Sequence, residues 1–419
     1  MSEILLQDDL QKDEKGTTCK PSRAFVPKRQ KKLLFILMAT LIICFTALAA
    51  ILWKLSATAI INTKETSYPL FKQGLLAVEV ADKWGFIDKE GTLVIPLQFD
   101  SAYNFEDNGL ALVEMSGKWG FIDTTGKYAI NPQFDDARSF YDAELTCVQV
   151  DGKWGFIDKA GQYIIGPQFD DTDPFCKAKL TCVQVNGKWG FIDTTGRYIV
   201  DPQFDGATCF SGCGLAAIQV DGKWGFIDES GKCIIDPQFD DTFGFSNTGS
   251  AAVQVDGKWG FIDKTGKYIV EPQFDGTSGY FLNGTACVQV NDKWGFINES
   301  GKYIINPQFD TAYSFSNSNL SGVKINDKWG YIDKTGKYVI DPQFDFSSSF
   351  YEGLACARVN DNWGYIDQSG KFVINPQFDM AFNFCSDGYA VVNLGGKDGV
   401  IDKSGVYIIN PIYDWILSF

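Results

Sequence analysis

Nine tryptophans fall on one ruler: Trp84, Trp119, Trp154, Trp189, Trp224, Trp259, Trp294, Trp329 and Trp363, 35 residues apart except for a last step of 34. Indole rings repeated in this way could stack on sugars or hold a quaternary ammonium cation against their faces. Two aspartate columns keep the same ruler. One is Asp88, Asp123, Asp158, Asp193, Asp228, Asp263, Asp333, Asp367 and Asp402, with Asn298 in the seventh copy. The other is Asp100, Asp135, Asp170, Asp205, Asp240, Asp275, Asp310, Asp345, Asp379 and Asp414. Carboxylates in turns either gather calcium or accept backbone N–H groups and cap the turn. Calcium asks for about six to eight oxygens. Neither column comes with the dense Asp/Asn clusters that supply them, so turn capping is the expectation.

Eleven cysteines add a possible redox or metal chemistry. Cys147, Cys182, Cys287 and Cys356 lie seven residues before a repeat tryptophan, where other copies carry Ala77, Leu112, Ala217, Ala252, Gly322 or Val391. That pattern reads as a small buried strand residue, with cysteine acting as a small hydrophobe. Cys147 and Cys182 could face each other across neighbouring copies. Cys209 and Cys213, four apart in a loop, are the expected candidates for a local bridge. No Cys-x-x-Cys occurs. Histidine is absent from all 419 residues. Its absence removes the usual general base, the commonest transition-metal ligand and the Ser-His and Cys-His pairs. A catalytic site also needs different residues to converge once, whereas this chain repeats the same residues ten times. No catalytic residue, cofactor or metal site is expected.

The elements that must position these residues follow from the period. A strict repeat makes each copy one supersecondary unit that buries its apolar face on its neighbours. In the copy around Trp189, Leu180 to Val185 is a β-prone run, and Asn186-Gly187 is a strong hairpin signal. Lys188 to Asp193 is the next strand. Thr194-Thr195-Gly196 turns the chain, with Gly196 at the left-handed position of a bulged loop. Arg197 to Asp201 is a third strand, and Pro202 is expected to end it, because proline cannot donate to a ladder. Phe210, six residues after Phe204, recurs as Phe105, Phe140, Phe175, Phe245, Tyr280, Phe315, Phe350 and Phe384, and should pin the connecting loop. Gly190 in the middle strand implies close approach of another backbone or ring. The simplest account covers each glycine with a neighbour's tryptophan, which would make the tryptophans the adhesive between units.

Ten three-stranded antiparallel units fit a propeller poorly, since propellers usually have about four to eight four-stranded blades. The fold class expected is therefore an all-β open twisting array, or solenoid, with a β-propeller-like ring as the alternative. The array spans 70–419 after a linker at 54–69. The tenth copy replaces tryptophan with Asp398, and the first reads Pro96-Leu97-Gln98-Phe99; both departures suit array ends.

Residues 33–53 form a run of 21 without a charge, long enough to span a bilayer. Lys28, Arg29, Lys31 and Lys32 precede it and Lys54 alone follows, which places the tail 1–32 in the cytoplasm as a disordered segment and the repeats outside. Ala47-Leu48-Ala49 offers a signal-peptidase reading, but the long leader and the continuing apolar run favour an uncleaved anchor. Leu41-Ile42-Ile43-Cys44 faintly resembles a lipoprotein box, against which the bulky Ile43 speaks. The formal charge is −15, and the tail is net +3, leaving −18 on the remainder. That balance argues against nucleic acid, whose binding depends on lysine and arginine.

The ordered match to Lys-Trp-Gly-Phe-Ile-Asp, Thr-Gly-Lys-Tyr-x-Ile and Pro-Gln-Phe-Asp resembles WG-repeat proteins, over about five-sixths of the chain. The resemblance implies a β-repeat array in bacterial proteins that serves as a non-catalytic interaction module. It carries over no defined ligand. A weaker likeness is to choline-binding cell-wall repeats, whose period is shorter. The expected function is thus a membrane-tethered extracytoplasmic scaffold for protein partners, with cell-wall or glycan binding through exposed aromatics as the alternative. The tryptophans are then framework that could face a ligand. Partner contacts would come from the variable loops, at Phe210, Phe243, Tyr280, Phe281 and Tyr313.

Overall fold

A computed structural model describes residues 68–141, 143–175 and 179–418. The tail and the apolar run at 33–53 lie outside the described residues. Among the described residues, no helix is long and apolar enough to cross a membrane.

The repeats form ten four-stranded antiparallel sheets, arranged as a ten-bladed β-propeller. Blades are numbered here by their tryptophans, blade 1 holding Trp84 and blade 10 holding Asp398, and the strands within a blade are a to d. Blade 5 is typical: a is Gly206–Ala207, b is Leu215–Val220, c is Lys223–Asp228 and d is Cys233–Phe239. The three expected strands are b, c and d. The fourth, strand a, is only two residues long and follows the preceding blade's strand d after a single residue, Asp205. Two residues give no alternation to read, which is why the sequence pattern shows three strands.

The expectation of an open array is corrected at the chain ends. Blade 1 takes its strand a from the C-terminus: Trp415–Ile416 pairs with Leu76–Val80, with Val78 opposite Ile416 and Glu79 opposite Trp415. Asp414 N–H donates to Glu79 O at 2.9 Å, and Leu417 N–H donates to Ala77 O at 3.2 Å. One buried cluster joins Leu76, Val78 and Ile87 of blade 1 to Val391, Val400, Ile409 and Tyr413 of blade 10. Asp387 accepts the backbone N–H groups of Leu70 and Phe71, sewing the segment before blade 1 onto blade 10. The ring therefore has no free ends, and its first and last copies are not caps.

The seam explains their departures from the repeat. Strand a carries a small residue at its second position in nine blades: Ala102, Ala137, Thr172, Ala207, Thr242, Thr277, Ala312, Ser347 and Ala381. At the seam the residue is Ile416. Eighteen residues earlier, Asp398 stands where Trp363 precedes Ala381. The buried Asp398 accepts from Ile416 N–H at 3.0 Å and from Asn393 Nδ2 at 2.7 Å. A large–small pair has been exchanged for a small–large one, with the carboxylate satisfied on both sides.

Within a blade the b–c turn is tight. Asn186 and Gly187 have φ of 51° and 76°, the two positive values a type I′ turn requires. Strand d does not stop at proline. It runs Tyr198–Phe204 and meets strand c as Ile192–Tyr198, Phe191–Val200 and Trp189–Phe204, with two register shifts. The extra residues bulge against Gly190, where a Cβ would lie 2.5 Å from Val200 O and 2.6 Å from Pro202 N. The glycine thus accommodates its own blade's strand d, not a neighbour's tryptophan. A bulge is one of the few places where a sheet admits proline, which here also blunts an edge strand.

Blades adhere through phenylalanine. Phe191, Phe204 and Phe210 of blade 4 and the following loop meet Ala216, Ile218 and Ile227 of blade 5 in one cluster. Gly196 approaches the previous blade, where a Cβ would meet Ile165 Cγ1 at 3.1 Å, and the same contact recurs across the seam between Gly91 and Ile409.

Candidate binding surface

Both aspartate columns are occupied by hydrogen bonds. In the c–d turn, Asp193 Oδ1 accepts from Thr195 N–H, Thr195 Oγ1 and Arg197 N–H. Between blades, Asp205 Oδ2 accepts from Asp221 N–H in the next blade's hairpin at 2.8 Å, and Oδ1 pairs with Lys188. The lysine and the backbone donor hold the Asp205 carboxyl below the usual carboxylate range. These carboxylates fix the hairpins and the blade-to-blade crossing.

The surface that varies begins one residue after strand a. This position reads Tyr103, Arg138, Asp173, Thr208, Phe243, Ser278, Tyr313, Ser348, Phe382 and Leu417 around the ring. Its backbone is held alike: Tyr103 N–H donates to Leu112 O, Arg138 to Cys147 O, Thr208 to Ala217 O and Tyr313 to Gly322 O. A fixed backbone thus carries nine positions of mixed chemistry, with Phe243 as the exception. In four blades the column side chain, Tyr103, Arg138, Phe243 or Tyr313, bears on the tryptophan of the same blade. Arg138 lies over Trp154, with Cζ 5.4 Å from the ring centre. Tyr313 stacks on Trp329 at 4.6 Å and 16°, and Phe243 lies 4.8 Å from Trp259. Those three tryptophans are the buried ones. Where the column residue is Asp173, Thr208 or Ser278, the facing Trp189, Trp224 or Trp294 is half-buried. Trp84, Trp119 and Trp363 are half-buried as well. Arg138, Phe243 and Tyr313 thus cover their tryptophans, whereas Tyr103 leaves Trp119 half-buried.

Blade 6 departs most. Its strand a is extended to Asp241–Phe245, and a register shift between Thr242 and Gly244 leaves Phe243 unpaired. A bulge of this kind re-aims a side chain. Phe243 is 44% exposed, with Trp259 on one side and the Tyr280 ring 6.3 Å away on the other. Tyr280 Oη donates to Phe243 O at 2.5 Å. Gly279, with φ of 91°, leaves the room; a Cβ there would sit 2.9 Å from the Phe243 ring.

The expected contact loops divide accordingly. Phe243 is exposed, and Tyr280 and Tyr313 are half-buried on this surface. Phe210 and Phe281 are core residues and cannot meet a partner; Phe210 packs on Phe191 and Phe281 on Phe261. The pinning aromatic of blade 7 is therefore Phe281, not Tyr280. The loop has the usual length, but its turn into strand b is one residue tighter, Leu282 N–H donating to Thr285 O where Ser211 N–H in blade 5 donates to Leu215 O. The pinning place falls one residue later, and Tyr280 is left at the surface. Tyr103, 48% exposed and 5.9 Å from Trp119, and Arg138 belong to the same surface. Sequence reasoning passed over both; the signal was their place three residues after Asp100 and Asp135.

Cysteines also regroup. Cys147 and Cys182 lie in different inter-blade clusters and do not face each other. Cys213 contacts Ser211 Oγ, whereas Cys209 turns toward Asp173 and Cys182.

The sequence pattern of the WG containing repeat family matches ten successive stretches, from residue 84 to residue 419. The chain belongs to the WG containing repeat family. No curated protein matches this chain. Among solved structures, it is similar to the crystal structure of the eukaryotic initiation factor, at 9% identity over 82% of this chain and 98% of that one, TM-score 0.49. It is also similar to PorZ, a bacterial surface component of the type-IX secretion system of Porphyromonas gingivalis, at 12% identity over 78% and 56%, TM-score 0.26. The extracellular domain of a one-component system of B. thetaiotaomicron gives 11% identity over 79% and 57%, TM-score 0.28. The fold of this WG-repeat chain rests on its own strand pairing.

Proposed function

We propose that this WG-repeat propeller is a non-catalytic binding scaffold that engages a protein partner through the variable column and its tryptophans, centred on Phe243, Trp259 and Tyr280. The observation that carries this reading is the contrast between a constant framework and a column whose side chains differ from blade to blade while its backbone is held alike in nine of the ten blades. Energetic anchors in protein interfaces are enriched in tryptophan, tyrosine and arginine; the column supplies tyrosine and arginine beside the tryptophans of the framework. Residues 33–53 would tether the propeller to a bacterial membrane, with the positive cluster before them keeping the tail in the cytoplasm. Glycan binding is the second reading, favoured only by the exposed faces of Tyr103 and Phe243; no repeat tryptophan is fully open.

A photo-crosslinking amino acid placed at Phe243 in the intact anchored protein tests this. A discrete partner adduct is expected from position 243 and none from Asp201 on the d-strand edge. Equal labelling from both positions, or none from 243, would reject the surface. Protease added outside intact cells should digest the repeats; protection would reject the topology.

A further inference from the structure

The repeat geometry sets position i of strand b against position i+27 of the next blade's loop. Ala77 N–H donates to Asn104 Oδ1 at 2.9 Å, Cys287 Sγ lies 3.8 Å from Ser314 Oγ, and Cys356 Sγ lies 3.4 Å from Asn383 Oδ1. Around the ring these pairs are Ala–Asn, Leu–Ser, Cys–Pro, Ala–Gly, Cys–Ser, Gly–Ser, Cys–Asn and Val–Ser. At one interface, between blades 4 and 5, both members are cysteine: Cys182 and Cys209. Asp173 joins them.

We propose that Asp173, Cys182 and Cys209 form a binding site for a divalent transition metal of the zinc class. The two sulfurs and a carboxylate oxygen lie within 4.8 Å of one another. Asp173 Oδ2 is 3.6 Å from Cys182 Sγ and 3.7 Å from Cys209 Sγ. With Zn–S of about 2.3 Å and Zn–O of about 2.1 Å, a tetrahedral S–Zn–O angle puts sulfur and oxygen about 3.6 Å apart. Both sulfur–oxygen separations thus already match a tetrahedral site. Thiolate pairs select zinc-like over hard cations.

The carboxylate is also oriented from behind. Arg138 Nη1 donates to Asp173 Oδ1 at 2.9 Å, leaving Oδ2 for the metal, and the guanidinium is itself held over Trp154. Such outer partners fix ligand geometry. Three successive column positions, Arg138, Asp173 and Thr208, place the support, the carboxylate ligand and the residue before Cys209. Cys182 is fully buried while Asp173 and Cys209 are partly exposed, so the metal enters from the variable surface. Three protein ligands leave a fourth position for water or an external donor. Binding releases the two thiol protons to solvent, with no change of oxidation state.

The test is cobalt(II) titration of the reduced full-length protein in detergent, without oxygen. One equivalent should bind with a thiolate-to-cobalt charge-transfer band, bleached by stoichiometric zinc. Cys209→Ser and Cys182→Ser should each lose at least half of the band. Arg138→Gln should weaken binding about tenfold while keeping the band intensity, as for other outer-shell changes. Cys213→Ser should leave both unchanged, and a native thermal melt checks folding of each variant. No charge-transfer band, or one retained in Cys209→Ser, would overturn the assignment. So would a Cys182–Cys209 disulfide that forms in air despite excess zinc, which would make the pair a covalent staple instead.

Discussion

Replacing Ile416 with alanine tests whether the ring is closed. Ile416 is 1% exposed and packs among Leu70, Phe71, Val78, Ile87, Val391 and Ile409, residues from both ends of the repeat region. The change removes three buried carbons, at about 0.8 kcal/mol each in transfer terms. The cavity left behind adds to this, for a total of about 3 kcal/mol within the usual range of about 2–5 kcal/mol. On an open array the same residue would end a chain in solvent, and its loss would cost about 0.5 kcal/mol or less. Urea unfolding of the full-length protein, followed by tryptophan fluorescence, measures the difference. Trp415→Ser is the control. It alters the same strand, but Trp415 is 50% exposed and carries no core contact. A shift in midpoint for Ile416→Ala no larger than that for Trp415→Ser would refute the closed ring.

The remaining expectations use the same assay. Asp398→Trp combined with Ile416→Ala restores the large–small order of the other blades and should recover more than half of the loss; a double variant no better than Ile416→Ala would remove the volume-exchange account. Gly225→Ala puts a Cβ 2.6 Å from both Ile235 O and Pro237 N and should cost about 3 kcal/mol or more. Gly222→Ala, with φ of 76° and open space around it, should cost only about 1–2 kcal/mol. Equal costs would mean that the d-strand bulge does not press on Gly225. Asp170, Asp205 and Asp240 titrate below the ordinary carboxylate value, first because of their lysine partners and then because of a hairpin N–H. A carboxylate whose folded pKa is depressed contributes stability above its unfolded pKa and loses it as pH falls through the folded value. The unfolding midpoint should therefore hold down to about pH 4 and fall below it, and Asp205→Asn with Asp240→Asn should flatten that fall. Tyr331 Oη bonds Ser347 Oγ and Ser348 O across a blade interface where seven other copies pair phenylalanine with alanine or threonine. Tyr331→Phe alone should cost about 1–2 kcal/mol, and adding Ser347→Ala should return it to within about 1 kcal/mol of the native protein; simple additivity of the two losses would contradict the pairing.

Much of the blade was legible because its signals are local. Asn186-Gly187 requires positive φ at both residues, and the turn glycines and hairpin strands stand where that chemistry puts them. Other features were hidden because they depend on pairs far apart in sequence. Strand a has two residues and no periodicity, so its pairing with strand b was invisible. Proline in Pro202-Gln203-Phe204 reads as a strand end when only ladder donors are considered; a bulge against Gly190 admits it. The exposed Phe243 follows from a register shift, and the burial of Phe281 follows from a tighter turn between Leu282 and Thr285. In both cases the residue type was noticed and its direction was not, because direction is set by pairing. The apolar segment at 33–53 lies outside the described residues.

Closure also changes what the odd copies mean. In an open array, terminal units diverge because one face meets water, and Asp398 in place of tryptophan would be read as a polar cap. In the ring, Asp398 is buried and satisfied by Asn393 and the N–H of Ile416. Its polarity serves a contact between the two ends of the chain, not contact with solvent. Such a contact forms only after the whole array is in place, so the seam carries the longest loop closure in the fold. The chain places Ile416, the largest residue at the second position of strand a, at this junction and adds the Asp387 clamp on Leu70 and Phe71. Interfaces between consecutive blades need no such reinforcement, because the single residue between strand d and strand a already holds the next blade in register. The departures at Asp398 and Ile416 thus mark the place where the ring closes.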